Sequence, residues 1–324
     1  MRNLSVFAAL LLLAVTAAAD RPAPFHPVTT YSIVAYDSAT GQFGAAVQSH
    51  WFKVADVIWL EPGVGAVATQ SLADFTYGPL GLKMLQMGRT PEQALAGLTE
   101  ADPQSDVRQV AIIDKTAVAA HTGAKCIPEA GHRTGRHYSV QANLMRNNTV
   151  WDAMAAAFEN TKGDLADRMM AALEAAQAEG GDIRGKQSAS MVVVTGEPTG
   201  QVWRDRLVDI RVDDSPEPLK ELRRLLDITR AYEYMNKGDE YLAEDDLEQA
   251  QQAYQKAAEL APGNLEILFW YAATLVTIDQ VEKALPVFKD VFAKDEAWRE
   301  LVPRLVEVDL LPRDEAIIER IVAQ

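Results

Sequence analysis

Apolar and polar positions alternate in short runs through the first two thirds of this chain and then fall into helical spacing, and that change divides it. Thr30 to Tyr36 (TYSIVAY) is rich in β-branched and aromatic residues, a turn cluster spans Asp37 to Gly41, and Gln42 to Ser49 returns as a second strand. Val57 to Leu60 and Gly65 to Thr69 are two more short apolar runs, split by the turn Glu61-Pro62-Gly63. Tyr77 to Met87 reads as a helix closed by Gly88. Thr90-Pro91-Glu92 starts another, with Thr90 as N-cap and Pro91 at the first helical position, and Leu95 and Leu98 carry it to about Ala101. Val107 to Asp114 and Ala117 to Thr122 make a second hairpin, a loop containing Gly and His follows, and Tyr138 to Leu144 is a further strand. Val150 to Gly180 carries Ala, Met and Leu at helical spacing, enough for one or two packed helices, and Gln187 to Thr195 and Leu207 to Val212 supply the last strands. This order predicts an α+β domain with two sheets in the middle and helices outside, the alternative being an α+β sandwich with one sheet.

From Pro218 onward the spacing is wholly helical and repeats. Tyr234, Gly238, Tyr241, Ala250, Tyr254, Ala257 and Pro262 fall on tetratricopeptide positions, and Leu268, Ala272, Leu275, Ala284 and Phe288 recur about 34 residues later. Small residues recur where the two helices of a unit touch, and large ones where a neighbouring helix must be covered. Residues 297–324 read as a less regular third helical pair that caps the array. A protein partner, or assembly as a homo-oligomer, is the expected use of such repeats.

The segment ahead of these elements is of another kind. Arg2, the apolar run Val6 to Val15 and the small residues Ala17, Ala18 and Ala19 form the n-h-c pattern of a secretory signal, with cleavage expected after Ala19. The run is too short to favour a stable membrane span, which needs roughly 20 residues, although an uncleaved anchor is the alternative. The expected location is therefore periplasmic or secreted. Pro22, Pro24 and Pro27 make residues 20–29 an extended lead-in. With 31 basic and 46 acidic residues the net charge is −15, which repels phosphate backbones and argues against a nucleic-acid partner. Cys126 is the only cysteine, so no intrachain disulfide or thiolate metal site can form within one chain.

The runs TYSIVAYD, VGAVATQ, CIPEAGH, VQANLM, GGDIRGKQSA and DIRVDDSPEP, taken together in this order, resemble the domain-of-unknown-function 1028 family over about Thr29 to Leu226. That family is assigned to the N-terminal-nucleophile (Ntn) hydrolases. The resemblance implies an α+β fold, a four-layer αββα sandwich over residues 30–217, followed here by an all-α tetratricopeptide domain over 218–324. It implies an amidohydrolase in which an N-terminal Thr is the nucleophile and its own α-amino group the base. An α-amine with a pKa of about 7.7–8.0 can accept a hydroxyl proton near neutral pH. Thr30 occupies the position of that nucleophile, and the substrate class implied is a small amide or peptide-like molecule, with no cofactor. Signal cleavage would leave Asp20 first, so a free Thr30 amine needs a second cut after Thr29. The lead-in would then be a propeptide; without that cut it is a linker.

The same resemblance places supporting groups at Ser49 and His50, oxyanion donors at Gln70 and Ser71, and a second oxyanion or substrate contact at Asn143. The supporting Lys of proteasome-type members is missing: the strand reads Ala55-Asp56-Val57, with Lys53 nearest. Each residue also has a plainer reading, Thr30 as the first β-branched residue of a strand and Gln70 and Asn143 as hydrogen-bonded core amides. His132 and His137 lie in a loop with Glu129, where His132 is expected to contact substrate and no metal is expected. The rival function is a non-catalytic binding module with a repeat scaffold. Its ligand could be cell-wall fragments, a role described for the segment after DIRVDDSPEP, although Leu219 to Ile228 reads as an ordinary amphipathic helix.

Overall fold

The computed structural model describes residues 30–324, so the signal and the Pro-rich lead-in expected over 1–29 lie outside the described residues. Strands β1 (Thr30–Tyr36), β2 (Phe43–Ser49), β7 (Gly131–Gly135), β8 (Tyr138–Ala142), β9 (Ser188–Val194) and β10 (Arg206–Val212) form one sheet in the order β10-β9-β2-β1-β8-β7. Strands β3 (Ile58–Glu61), β4 (Gly65–Ser71), β5 (Arg108–Ile113) and β6 (Val118–Thr122) form a second in chain order. Every pairing is antiparallel.

The period-2 pattern of β1 decides what each face of the first sheet meets. Tyr31, Ile33 and Ala35 join Phe158, Met169, Leu173, Leu222 and Leu226 in a core between the sheet and helices α3 (Val150–Asn160), α4 (Leu165–Ala178) and the front of α6 (Pro218–Ala243). Val34, Phe43, Ala45 and Val47 instead meet Ala66, Ala68, Ala111 and Ile113 of the second sheet. On the far side of that sheet Val67, Val110 and Ile112 pack under α1 (Tyr77–Gln86) and α2 (Pro91–Ala101). The layers run helix, sheet, sheet, helix. Helix α4 can lie close because β2 offers Gly44 beneath it: a Cβ there would stand 2.5 Å from Met169 Cε. The expected start of α2 is present as a capping box, with Thr90 Oγ1 accepting from Gln93 N at 3.3 Å and the Gln93 side chain accepting from Thr90 N at 3.2 Å.

Three local expectations change. The segment holding His132 is not a loop but β7, an edge strand of sequence GHRTG with no apolar residue to announce it. Its pairing with β8 fixes it, and Gly131 and Gly135 lie against the Trp151 and Tyr138 rings, where a Cβ would clash at 2.7 and 2.1 Å. Strand β4 runs on through Gln70 and Ser71, paired to Gln109 and Arg108. Pro218 to Ala243 is one continuous 26-residue helix whose front half is buried in the α/β core and whose back half begins the repeats. A short turn of helix, α5 (Val202–Asp205), precedes β10.

The helical region follows as pairs: the back of α6 with α7 (Leu247–Leu260), α8 (Leu265–Thr277) with α9 (Val281–Lys294), and α10 (Ala297–Glu307) with α11 (Glu315–Val322). Gly238 meets the Tyr254 ring, the close approach expected of a small repeat position. Each pair turns through an aspartate with left-handed backbone, Asp245 (φ 63°), Asp279 (φ 62°) and Asp309 (φ 60°), a conformation Asp tolerates better than most residues. Phe269 and Phe288, both fully buried with ring centroids 5.4 Å apart, centre the core of the second and third pairs. Among the described residues no helix is long and apolar enough to cross a membrane.

Candidate functional site

Between the two sheets the packing is apolar at one end and polar at the other. The polar end follows from register. Thr30 pairs with Ser49, Ser49 with Ser188, and Tyr31 with Ala142, which sets Asn143 beside Thr30. Four neighbouring strands thus end in a row Ser188–Ser49–Thr30–Asn143, all fully buried. Facing them from the second sheet are Gln70 and Gln109, also fully buried and directly paired across β4 and β5.

Hydrogen bonds join Thr30, Asn143, Gln70 and Gln109. The Thr30 carbonyl accepts from Asn143 N at 3.1 Å, from Asn143 Nδ2 at 3.4 Å and from Gln70 Nε2 at 3.2 Å. Gln109 Oε1 accepts from Gln70 Nε2 at 2.7 Å and from Asn143 Nδ2 at 2.9 Å. Gln109 Nε2 serves Thr122 Oγ1, Ala142 O and Gly131 O at 2.9, 2.9 and 3.1 Å. On the inner side Ser32 Oγ donates to Gln70 Oε1 at 2.6 Å and accepts from Gln141 Nε2 at 2.6 Å, and Ser139 Oγ donates to Gln141 Oε1 at 2.9 Å. The partners fix the orientation of each amide, because every neighbour of the three NH₂ groups is an acceptor. Asn143 Oδ1 is left buried without a partner.

This arrangement places Thr30, Ser49, Gln70 and Asn143, four of the residues named from the sequence, at one end of the inter-sheet space. His132 joins at one remove: its Nδ1 lies 2.8 Å from Thr122 Oγ1, and Thr122 is held by Gln109. Although His132 is exposed as a residue, this ring edge turns inward, and desolvation followed by repulsion from His121 lowers its pKa. Ser71 and His50 stand apart from the cluster. Ser71 ends β4 with φ 70° and lies beside Cys126, whose thiol donates to the Arg108 carbonyl at 3.4 Å. Burial pushes that thiol up in pKa, against the pull of Ser71 and the Gly123 backbone, so it is a poor thiolate. His50 turns toward the loop of Asp182 and Gly185: its backbone N–H donates to Asp182 Oδ2 at 3.4 Å, and its ring Nδ1 is buried without a hydrogen-bond partner among the described residues. Asp182 is itself forked by Arg184, at 3.1 Å from Nε and 2.7 Å from Nη2. Lys53 pairs with Asp56 at 3.4 Å on the surface and does not replace the missing lysine.

Ser32, Gln109, Thr122 and Gln141 belong to the cluster and were not singled out from the sequence; nor was Ser188, whose hydroxyl donates to the Trp51 carbonyl and accepts from Val54 N at 3.1 Å. For Gln109 the available signal was a polar residue on a strand face otherwise apolar, that of Ala111 and Ile113 in RQVAII. Chemically, the described residues of the cluster supply hydroxyls and oriented N–H donors.

A two-sheet antiparallel domain with helices on both faces, a threonine heading its central strand over buried amides, and a run of helical hairpins behind it define a two-part α/β and repeat protein. Comparison with known proteins makes this specific. The chain belongs to the Family of unknown function (DUF1028), which matches residues 30–222, and residues 241–302 match a tetratricopeptide repeat. A crystal structure of a Silicibacter pomeroyi protein of the same family is similar at a TM-score of 0.56 and 31% identity, over 61% of this chain and 84% of that one. No curated protein matches the chain. Tetratricopeptide repeats suggest a protein partner for the C-terminal part.

Proposed function

We propose that this protein is an exported, periplasmic or secreted, Ntn-type amidohydrolase. Thr30, freed as an N-terminus, attacks the carbonyl of a small amide or peptide-like substrate, and the repeats hold a protein partner. The observation that carries the reading is the clamp on the Thr30 main chain: three N–H contacts converge on its carbonyl at the buried head of β1. Such a clamp fixes the nucleophile's position before substrate arrives. The composition of the cluster supports the same mechanism. Its hydroxyls and amide donors suit a mechanism whose base is the α-amine that a cut after Thr29 would release. That amine would take the Thr30 hydroxyl proton as Oγ1 bonds the substrate carbon. The proton would then pass to the leaving nitrogen, and water would hydrolyse the acyl-enzyme.

The test is intact mass and N-terminal sequencing of the protein recovered from its native host. A mature chain beginning at Thr30 supports the mechanism and justifies screening amides, with Thr30→Ala as the inactive control. A mature chain beginning at Asp20 removes the amine, and the reading becomes that of a binding module on the same fold.

A further inference from the structure

In the last helical pair Val302, Leu305 and Ile321 are buried against Phe288 and Phe292 in the core of the repeats. Next to that core α10 and α11 enclose a groove of about 680 Å³, lined by Val322 and by Val306 and Ile318, which are themselves partly buried against the core. Beside it Val308 and Leu310 are 63% and 54% exposed. Repeat arrays end in helices whose outer face is polar, because no neighbour covers it. The α10–α11 face carries apolar side chains, and among the described residues no helix lies on it.

The rim says what chemistry would cover it. Glu307, Glu315 and Glu319 line the groove, and none of them is in an ion pair. Among the described residues the cation in its lining is Arg313, which is already held by Asp309 at 2.7 Å. An apolar slot between unneutralised carboxylates is complementary to a helix with an apolar stripe and basic flanks. A second copy of this chain fits poorly, since its net charge is −15 and it would bring the same acidic rim. We propose that the α10–α11 groove docks a basic amphipathic helix of a partner protein, end-on to the repeat stack. Most of this surface lies beyond residues 241–302 that match the repeat.

The experiment is fluorescence anisotropy of a labelled Leu/Lys peptide of about 14 residues, with Leu at helical i, i+3, i+4, i+7 spacing, titrated with the full chain. The comparison is a scrambled peptide of the same composition, which keeps the charge and loses the stripe. The amphipathic peptide should bind at least about tenfold more tightly than the scrambled one, and added salt should weaken it. Val322→Asp places a charge in the groove lining at a part-exposed position and should weaken binding about tenfold or more. The double charge reversal Glu315→Lys/Glu319→Lys, at exposed positions that leave the core alone, should do the same. Equal binding of the two peptides, or indifference to the charge reversal, overturns the proposal. So does concentration-dependent self-association in sedimentation that Val322→Asp abolishes, which would give the face to a second copy.

Discussion

Replacing Gln109 by leucine tests whether the buried amide cluster is a coupled structure or a set of independent bonds. Leucine nearly matches the volume, so the change deletes hydrogen bonds with little cavity. Gln70 Nε2 loses its 2.7 Å acceptor but keeps the Thr30 and Gln141 carbonyls at 3.2 and 3.3 Å. Asn143 Nδ2 keeps only the Thr30 carbonyl at 3.4 Å, the outer limit of a hydrogen bond. Thr122 keeps His132, while Ala142 O and Gly131 O lose a donor. One side-chain donor is therefore effectively orphaned and two carbonyls are under-satisfied. At about 1–3 kcal/mol for a buried unsatisfied group, the loss should be about 2–4 kcal/mol, a large share of a total stability of roughly 5–15 kcal/mol. The two parts of the chain need not unfold together, so the assay is hydrogen exchange by mass spectrometry along a urea series, reading β5 and β8 peptides separately from α8 and α9 peptides. At about 2 kcal/mol per molar urea the β-peptide midpoint should fall by about 1–2 M while the repeat peptides hold theirs. A double-mutant cycle sharpens the test. In Gln109→Leu/Asn143→Leu the orphaned donor is gone, so the double loss should be smaller than the sum of the single losses by about 1 kcal/mol or more. A Gln109→Leu loss under about 1 kcal/mol, or additivity in the cycle, refutes the reasoning.

Two further outcomes follow from single contacts. The His132 pKa is depressed in the folded chain below its unfolded value of about 6.5, so the unfolded state binds more protons between the two values. Stability should therefore rise with pH through that window and be lost as pH falls through it. His132→Gln should flatten the urea-midpoint-versus-pH curve there, and identical curves for variant and parent would count against the coupling. Gly238→Ala should destabilise the repeats although alanine favours helix by about 1 kcal/mol, because its Cβ would stand 2.5 Å from the Tyr254 ring, itself tied to Asp239. Gly263→Ala, with open space at its Cβ, is the control, and equal thermal midpoints for the two variants would show that the ring gives way freely.

Legibility in the sequence followed the strength of the local signal. Strands with a buried face and β-branched residues, such as TYSIVAY, were readable, as were the Thr90-Pro91 helix start and the small and large positions of the repeats. Strand β7 was not readable, because a polar edge strand of sequence GHRTG is fixed by pairing with β8 and not by its own residues. The continuous α6 was unreadable for a different reason. Between Leu219 and Tyr241 only Gly238 disfavours a helix, yet the residues that bury its front half come from α4, β9 and β10. At the site, Thr30, Gln70 and Asn143 were reachable through resemblance, whereas Gln109 was not. It lies in β5 as one polar residue in RQVAII, and its role exists only because register sets it opposite Gln70.

The continuity of α6 bears on how the two parts work together. A 26-residue helix is roughly 39 Å long. Its front half is locked into the α/β core by Leu219, Leu222 and Leu226. Ion pairs add to the lock. Arg230 reaches Asp164 at 2.7 Å and Asp167 at 2.9 Å, and Arg223 reaches Asp167 at 3.3 Å and Glu174 at 2.9 Å, all on or at the start of α4. The back half contributes Ala231 to the first repeat core and Gly238 to its helix contact. No loop separates the parts, so a hinge would require breaking a helix or stripping buried leucines from the core. The repeats are therefore an outrigger held at a fixed place relative to the Thr30 end of β1. Under the function proposed above, a partner captured by them would be joined to the α/β domain through a helix and not through a flexible arm. If that partner carries the amide substrate, the gain is a raised local concentration set by geometry, which is the advantage a rigid connection has over a linker.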